Sequence, residues 1–255
     1  MSPLLIIDPG HGGLDPGGGS NAKFKEKDKT LQISLYQARR FQELNIPATL
    51  TRTTDTTLSS DQRTAIVRNS GARYCISNHI NSGGGHGAEA IYSIYSQAAL
   101  AKQLIEELEI AGMPARRVYT RTYPGNPKLD YYFMHRETGS VETVILEYGF
   151  ADNPVDASLL EINWEKLAES VVRGFTEFVG KEYKPPVANL PAADPVPVNW
   201  SSLPAWKRDG VDWLYAEGLL IDQTWRSRID EPLPLWAEAT VLKRLYEKLS
   251  NGSHS

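Results

Sequence analysis

Leu4-Leu5-Ile6-Ile7-Asp8-Pro9-Gly10-His11-Gly12-Gly13 opens on four consecutive apolar residues and stops at a proline and a glycine. A short apolar run closed in this way predicts a buried strand ending in a turn. The loop after such a strand is a common place for functional residues, and here it carries His11.

Downstream, the periodicity alternates. Leu31, Leu35, Ala38, Phe41 and Leu44 repeat at helical spacing over residues 30–44, until Asn45-Ile46-Pro47 breaks the pattern and residues 48–52 read as a second strand. Residues 60–70 predict a helix with Ser59 or Ser60 as N-cap and Gly71 just past its end. Strands are expected at 73–78, 88–95, 117–120 and 142–146, an amphipathic helix at 97–111 through Leu100, Leu104 and Leu108, and a long helix at 164–183. Strands alternating with helices imply an α/β sheet covered by helices on both faces.

Residues 184–198 contain five prolines and show no period, which marks a semi-rigid linker. The organisation expected is therefore a first domain at 1–183, a Pro-rich linker at 184–198 and a small helical C-terminal domain at 199–255, with helices at 206–218 and 235–249. So short a tail is marginal on its own, which makes dimerisation or docking a natural expectation.

At 255 residues and 41% hydrophobic, the chain buries a full core in one medium domain plus a small one. A net charge of −4 offers no basic face to neutralise phosphates, so nucleic acid is not expected as a partner. The single cysteine, Cys75, lies in apolar Tyr74-Cys75-Ile76 and reads as a small buried residue. Residues 1–8 lack the basic and apolar regions of a secretory signal, and nothing approaches the roughly 20 apolar residues of a membrane span. The expectation is synthesis in the cytoplasm without membrane insertion.

Two of the five histidines fall where strands should end: His11, and His79 in Ser77-Asn78-His79-Ile80-Asn81. In open α/β sheets, sites form outside the carboxyl ends of strands, so these two imidazoles can meet there. A catalytic zinc typically takes three protein ligands and keeps an open position, and the third ligand must be acidic or a further histidine. Glu26, in Phe24-Lys25-Glu26-Lys27-Asp28, is the candidate; the same residues also read as a solvated charge cluster, with Asp28 or Thr30 capping the helix.

Glu147 follows the apolar Val144-Ile145-Leu146. A carboxylate there is costly unless compensated, which suggests a general acid/base or, alternatively, a pairing with Arg52 or Arg136. His86, in Gly83-Gly84-Gly85-His86-Gly87, and His135, beside Arg136, either contact substrate or serve no chemistry. The glycine-rich stretches lack a following Gly-Lys-Ser/Thr, and no Gly-x-Ser-x-Gly appears, so metal-activated water is favoured over nucleotide or serine chemistry.

Asp-Pro-Gly-His-Gly-Gly at 8–13, Glu26-Lys27-Asp28 with Leu31, Ser77-Asn78-His79-Ile80-Asn81, and Leu146-Glu147-Tyr148-Gly149-Phe150 occur in that order. Together they resemble the zinc amidase family often called amidase-3, typified by bacterial autolysins and phage endolysins, over residues 4–183. The resemblance implies one zinc ion held by His11, Glu26 and His79, with Glu147 as the catalytic glutamate, and a mixed sheet flanked by helices. It also implies peptidoglycan as substrate, cut at the amide between the muramic acid lactyl group and L-alanine. An enzyme of this kind made without an export signal would reach the wall after release from the cell.

In the tail, Trp206, Gly210-Val211-Asp212-Trp213-Leu214-Tyr215 and Gly218-Leu219-Leu220-Ile221-Asp222 resemble a surface-layer homology repeat, a module that holds proteins to secondary cell-wall polymers. Leu235-Trp236-Ala237-Glu238 departs from that repeat's polar signature, so the aromatic residues also read as a core or a dimer face.

Overall fold

The computed structural model, which describes residues 2–186, 205–221 and 235–252, turns the opening apolar run into strand β1 (Leu5–Pro9), every residue of it buried. Five further strands join it: β2 (Ala48–Leu50), β3 (Tyr74–Asn81), β4 (Ala88–Tyr92), β5 (Ala115–Tyr119) and, after a separate hairpin of β6 (Thr122–Tyr123) and β7 (Asn126–Asp130), β8 (Glu142–Phe150). The sheet order is β2-β1-β3-β8-β4-β5. The first four of these run parallel, while β4 lies antiparallel to β8 and parallel to β5. The sheet is mixed, as expected.

Helices cover it unequally. Successive side chains of a strand point to opposite faces, and the sequence assigns them accordingly. Leu5 and Ile7, Ile76, and Val144, Leu146 and Tyr148 face a large apolar layer built from α1 (Glu26–Glu43), α3 (Ala99–Ile110) and α6 (Trp164–Phe178). The intervening Ile6, Cys75 and Ile145 meet a smaller cluster with Val67 of α2 (Ser60–Asn69) and Met134 of the single-turn α4 (Phe133–Arg136). Cys75 is buried there, as its apolar setting implies.

Local capping follows the sequence in two places. Ser59 Oγ accepts from Gln62 N while Gln62 Oε1 accepts from Ser59 N, a reciprocal box that fixes the start of α2. At α5 (Pro154–Ile162), Asn153 caps the Val155 and Asp156 amides with Pro154 at the first helical position. That signal is readable in the sequence, although the periodicity alone passes over the helix.

β4 stops at Tyr92 rather than 95 and α6 at Phe178 rather than 183, and three further boundaries move at functional residues. α1 begins at Glu26 rather than at residue 30, so Asp28 and Thr30 lie inside the helix and cap nothing; Thr30 Oγ1 instead donates to the Gly10 carbonyl at 2.9 Å. β3 runs past residue 78 to Asn81 and β8 past 146 to Phe150, because the two strands pair with each other through His79 and Glu147. The parallel strands β1, β3 and β8 thus bring their carboxyl ends to one edge, and the strand order switches direction at β1 and β3. This is where sites form in sheets of this kind.

The chain divides into two units, residues 1–185 and 186–255. In the second, α7 (Ala205–Ala216) and α8 (Leu235–Gly252) occupy the two helical stretches expected. Arg244 donates to the Leu219 carbonyl at 3.0 Å, and Lys248 pairs with Glu217 at 2.5 Å. The linker expected at 184–198 lies from residue 187 onward outside the described residues, as do Asp222 and the side chains of Trp206 and Leu235-Trp236-Ala237. Among the described residues, no helix is long and apolar enough to cross a membrane.

Candidate active site

Two buried arginines shape the loop that follows β1. Arg63 of α2 donates to Asp8 at 2.9 Å, to the Pro9 carbonyl at 2.8 Å and to the His11 carbonyl at 2.7 Å. Arg52 donates to the carbonyls of Pro9, Gly10, Lys27 and Thr54. Asp8, fully buried, also accepts from Thr51 and Ser77, so its charge is well compensated. These contacts hold His11 at φ +59, a left-handed conformation that residues other than glycine seldom adopt. Strain of that sort, of order 1–3 kcal/mol, persists only where the surroundings over-determine it.

His11 and His79 come together with their rings edge to face, centroids 4.9 Å apart. Between them lies Glu26, whose Oε1 is 3.1 Å from His11 Nε2 and 3.1 Å from His79 Nδ1. The same carboxylate accepts from the backbone amides of Gly19 at 2.7 Å and Ile80 at 2.9 Å. Only glycine fits at position 17 of the overlying loop, where φ is +84 and a Cβ would collide with the Glu26 carboxylate. Glu26 is therefore a buried residue, as are Lys27 and Lys29, and only Lys25 and Asp28 of the stretch remain solvated. Lys27 reaches the Gly13 carbonyl and Asp55.

The donor atoms of His11, Glu26 and His79 lie within 4.8 Å of one another, the one group of three metal-ligating side chains among the described residues. Two imidazoles and a carboxylate at one point make a set that suits zinc, and they fit that ion as the sequence implies. Burial alone would raise the Glu26 pKa, but hydrogen bonds and charge from the two histidines hold it far below the usual range. Burial disfavours the charged form of His11, yet Glu26 and Asp15 outweigh it and push the ring to about 9. Asp15 is a residue that sequence reasoning missed: its Oδ2 sits 2.7 Å from His11 Nδ1, leaving Nε2 to face Glu26. Its only signal is an acid four residues beyond a histidine in a glycine-rich loop.

Glu147 stands opposite His79 in the β3–β8 register and lines the same cleft, a space of about 270 Å³ bounded also by His11, Leu58, Tyr132 and Phe133. Its Oε2 is buried and has no hydrogen-bond partner among the described residues. Burial pushes its pKa up to about 7, with His79 opposing and Glu26 adding to the rise. The alternative pairing with an arginine does not occur. Arg52 is committed to the four carbonyls named above, and Arg136 donates to those of Asp130 and Tyr131.

The other histidines are placed elsewhere. His86 Nδ1 lies 2.7 Å from Asp156, which also accepts from the amides of Gly87 and Phe150, so this contact anchors the glycine loop to α5. His135 is buried on α4, and burial drives its pKa down to about 4. Glu89 is a further buried carboxylate that the sequence did not reveal. It lies opposite Glu147 in the β4–β8 register and is neutralised by Arg116 and Arg117.

A family model described as N-acetylmuramoyl-L-alanine amidase, Amidase_3, matches residues 5–177. The chain is 30% identical over 181 residues to N-acetylmuramoyl-L-alanine amidase CwlM of Bacillus licheniformis, covering 70% of this chain and 68% of that protein. It is 28% identical over 174 residues to the probable cell wall amidase LytH of Staphylococcus aureus, covering 67% of this chain and 56% of LytH, little more than half its length. Among solved structures, the catalytic domain of CwlV, an N-acetylmuramoyl-L-alanine amidase from Bacillus (Paenibacillus) polymyxa var. colistinus, matches with a TM-score of 0.62 at 26% identity, covering 71% of this chain and 99% of that one. The family match spans every strand of the sheet and all four residues that converge on the cleft, and by it the chain belongs to the Amidase_3 family of N-acetylmuramoyl-L-alanine amidases.

Proposed function

We propose that this chain hydrolyses peptidoglycan at the amide between the muramic acid lactyl group and L-alanine, with one zinc ion held by His11 Nε2, Glu26 and His79 Nδ1. The observation that carries this reading is the convergence of those three donors beside a buried, unpartnered Glu147 Oε2. Zinc in such a site supplies Lewis acidity toward the scissile carbonyl and lowers the pKa of water.

The remaining work falls to side chains of this chain. Glu147 Oε2 accepts the proton of the attacking water and delivers it to the departing L-alanine nitrogen as the C–N bond breaks. A carboxyl near pH 7 in proton affinity serves in both directions. Asp15 holds the His11 ring, and the donors of Arg52 and Arg63 hold the backbone that carries it. Leu58, Tyr132 and Phe133 wall the cleft and limit water around the reacting amide.

The test is digestion of purified sacculi before and after chelation, with zinc restored and the products identified by mass. Free amino groups appear on L-alanine without new reducing sugars, and activity follows zinc. New reducing ends, or cleavage within the stem peptide, would overturn the reading.

For the second unit we propose attachment to a secondary cell-wall polymer, supported by its likeness to a surface-layer homology repeat. The family match ends at residue 177, before this unit begins. Unchanged retention of the full-length chain on isolated walls after extraction of their secondary polymers would overturn this reading, and a dimer measured in solution would favour a dimer face instead.

A further inference from the structure

Tyr132 and Phe133 line the catalytic cleft on one side and a second hollow, of about 510 Å³, on the other. The second hollow is floored by Tyr123, Pro124, Tyr131 and Arg136, residues of the β6–β7 hairpin, the turn into α4 and the end of α4. The Tyr123 and Tyr131 rings are tilted by 32° with centroids 6.4 Å apart, and Tyr131 meets Tyr132 edge to face at 5.0 Å. Arg121 lies over Tyr131 at 3.8 Å, and Arg136 lies 5.9 Å from the Tyr123 ring centre. Arg121 forms no ion pair with a carboxylate among the described residues; its partners are aromatic rings.

The hairpin owes nothing to the main core: both strands are exposed apart from Asp130, and Tyr123 is 48% exposed. The hairpin and the Tyr131-Tyr132 turn after it build a shelf of aromatic rings continuous with the reaction cleft; Tyr132 packs on the smaller apolar cluster, but Tyr123 and Tyr131 belong to neither apolar cluster and are available to a ligand. The rings present apolar faces with hydroxyl rims, and the guanidinium groups add hydrogen-bond donors in fixed planes. That combination matches a chain of neutral pyranose rings, whose axial C–H faces stack on aromatic rings while hydroxyl and acetamido groups accept hydrogen bonds. The carboxylates of the substrate sit on the stem peptide, for which a shelf of rings is the poorer match.

We infer that the Tyr123–Tyr131–Tyr132 shelf, with Arg121 and Arg136, is a glycan subsite that seats sugar rings flanking the muramoyl unit under attack. This rests on the proposed amidase reading, since it assumes a glycan-linked amide in the adjoining cleft. Binding of remote rings would favour strands over isolated units without touching the reacting atoms.

The test compares two substrates with the same stem peptide, a single N-acetylmuramoyl peptide and an uncleaved glycan strand, using the zinc-loaded full chain. Tyr123→Ala raises KM for the strand roughly ten-fold, leaves kcat unchanged, and has no effect on the single unit. Tyr123→Phe, which keeps the ring, behaves as the parent. Equal loss on both substrates, no loss on either, or a KM change that tracks stem length would overturn the subsite. Calorimetric binding of an N-acetylglucosamine tetramer separates the two readings: it is kept in the parent and Y123F and lost in Y123A. If the parent binds the tetramer but releases no L-alanine amine from either substrate, the amidase reading fails and the subsite stands; if the parent releases the amine but does not bind the tetramer, the subsite fails alone.

Discussion

Leu146 and Glu147 are neighbours in β8 that face opposite sides of the sheet. Leu146 points into the thick layer of α1, α3 and α6 and is fully buried among apolar residues. Glu147 points to the thinly covered α2–α4 side, where Asp8, His79 and Glu89 share its face of the sheet. The same alternation runs along β3, where Asn78 turns to the thick side and bonds Ser34 and Gln37 of α1 while His79 turns to the cleft. One face of these strands packs on the thick layer, while the other, beyond the smaller cluster of Ile6, Cys75 and Ile145, carries polar and charged groups, of which Glu147 Oε2 is left without a partner among the described residues. The difference shows why a site of this chemistry sits under two short helices: a thick apolar layer would bury these groups beyond reach of substrate.

The sharpest break of the comparison is to neutralise the cleft side alone. Glu147→Gln lowers kcat on sacculi by about 10²–10⁴, the usual range for losing a general acid/base. Zinc content measured on the purified protein stays at one equivalent, because Glu147 is not among the three side chains proposed to hold the ion. The melting temperature holds or rises, since an unpartnered buried carboxylate is replaced by a neutral amide. Near-normal turnover would remove Glu147 from the chemistry.

One residue earlier, the expectation inverts. Leu146→Ala costs about 2–5 kcal/mol of unfolding free energy, the range for deleting a fully buried leucine. Activity per folded molecule, measured at a temperature where the variant remains folded, falls by no more than a few-fold. A loss of kcat comparable to that of Glu147→Gln, in well-folded protein, would show that the two faces are not separable.

How far the sequence discloses this division depends on how local the cause is. The apolar runs at 4–7 and 144–146 are enough to place β1 and β8, and the turn at Pro9-Gly10 places His11 at a strand end. His79 and Glu147 are legible as the polar residues at the ends of such runs, although pairing between β3 and β8 carries both strands past them. Glu26 is not legible from its neighbours, because the run Lys25 to Lys29 looks solvated throughout, and only the folded loop 13–19 and the tip of β3 cover Glu26 and Lys27 while Lys25 and Asp28 stay exposed. Only the family resemblance selects Glu26. The hairpin and α4 escape altogether, since residues 120–137 have no apolar period to read: Tyr123 and Tyr131 lie in neither apolar cluster, and only Tyr132, Phe133 and Met134 turn to the smaller one. The roles of Arg52 and Arg63 depend on carbonyls distant in sequence, which no spacing reveals.

The smallest effect tests the outer edge of the cleft face. Asp15 is largely exposed and touches no proposed ligand but His11, 2.7 Å from its Nδ1. A carboxylate in that position fixes the imidazole tautomer and strengthens the opposite nitrogen as a donor. Asp15→Ala therefore weakens zinc affinity by about 10–100-fold, read by competition with a chelator, while the thick layer is untouched and the melting temperature of the metal-free protein changes little. Asp15→Asn recovers part of the affinity, because an amide oxygen still accepts from Nδ1 without the charge. If Asp15→Ala left zinc affinity unchanged, the left-handed backbone of His11 and its hold by Arg63 would be sufficient to orient the ring. If it instead lowered stability as much as Leu146→Ala, Asp15 would belong to the scaffold, and the boundary between the two faces would have to be drawn closer to the proposed metal ligands.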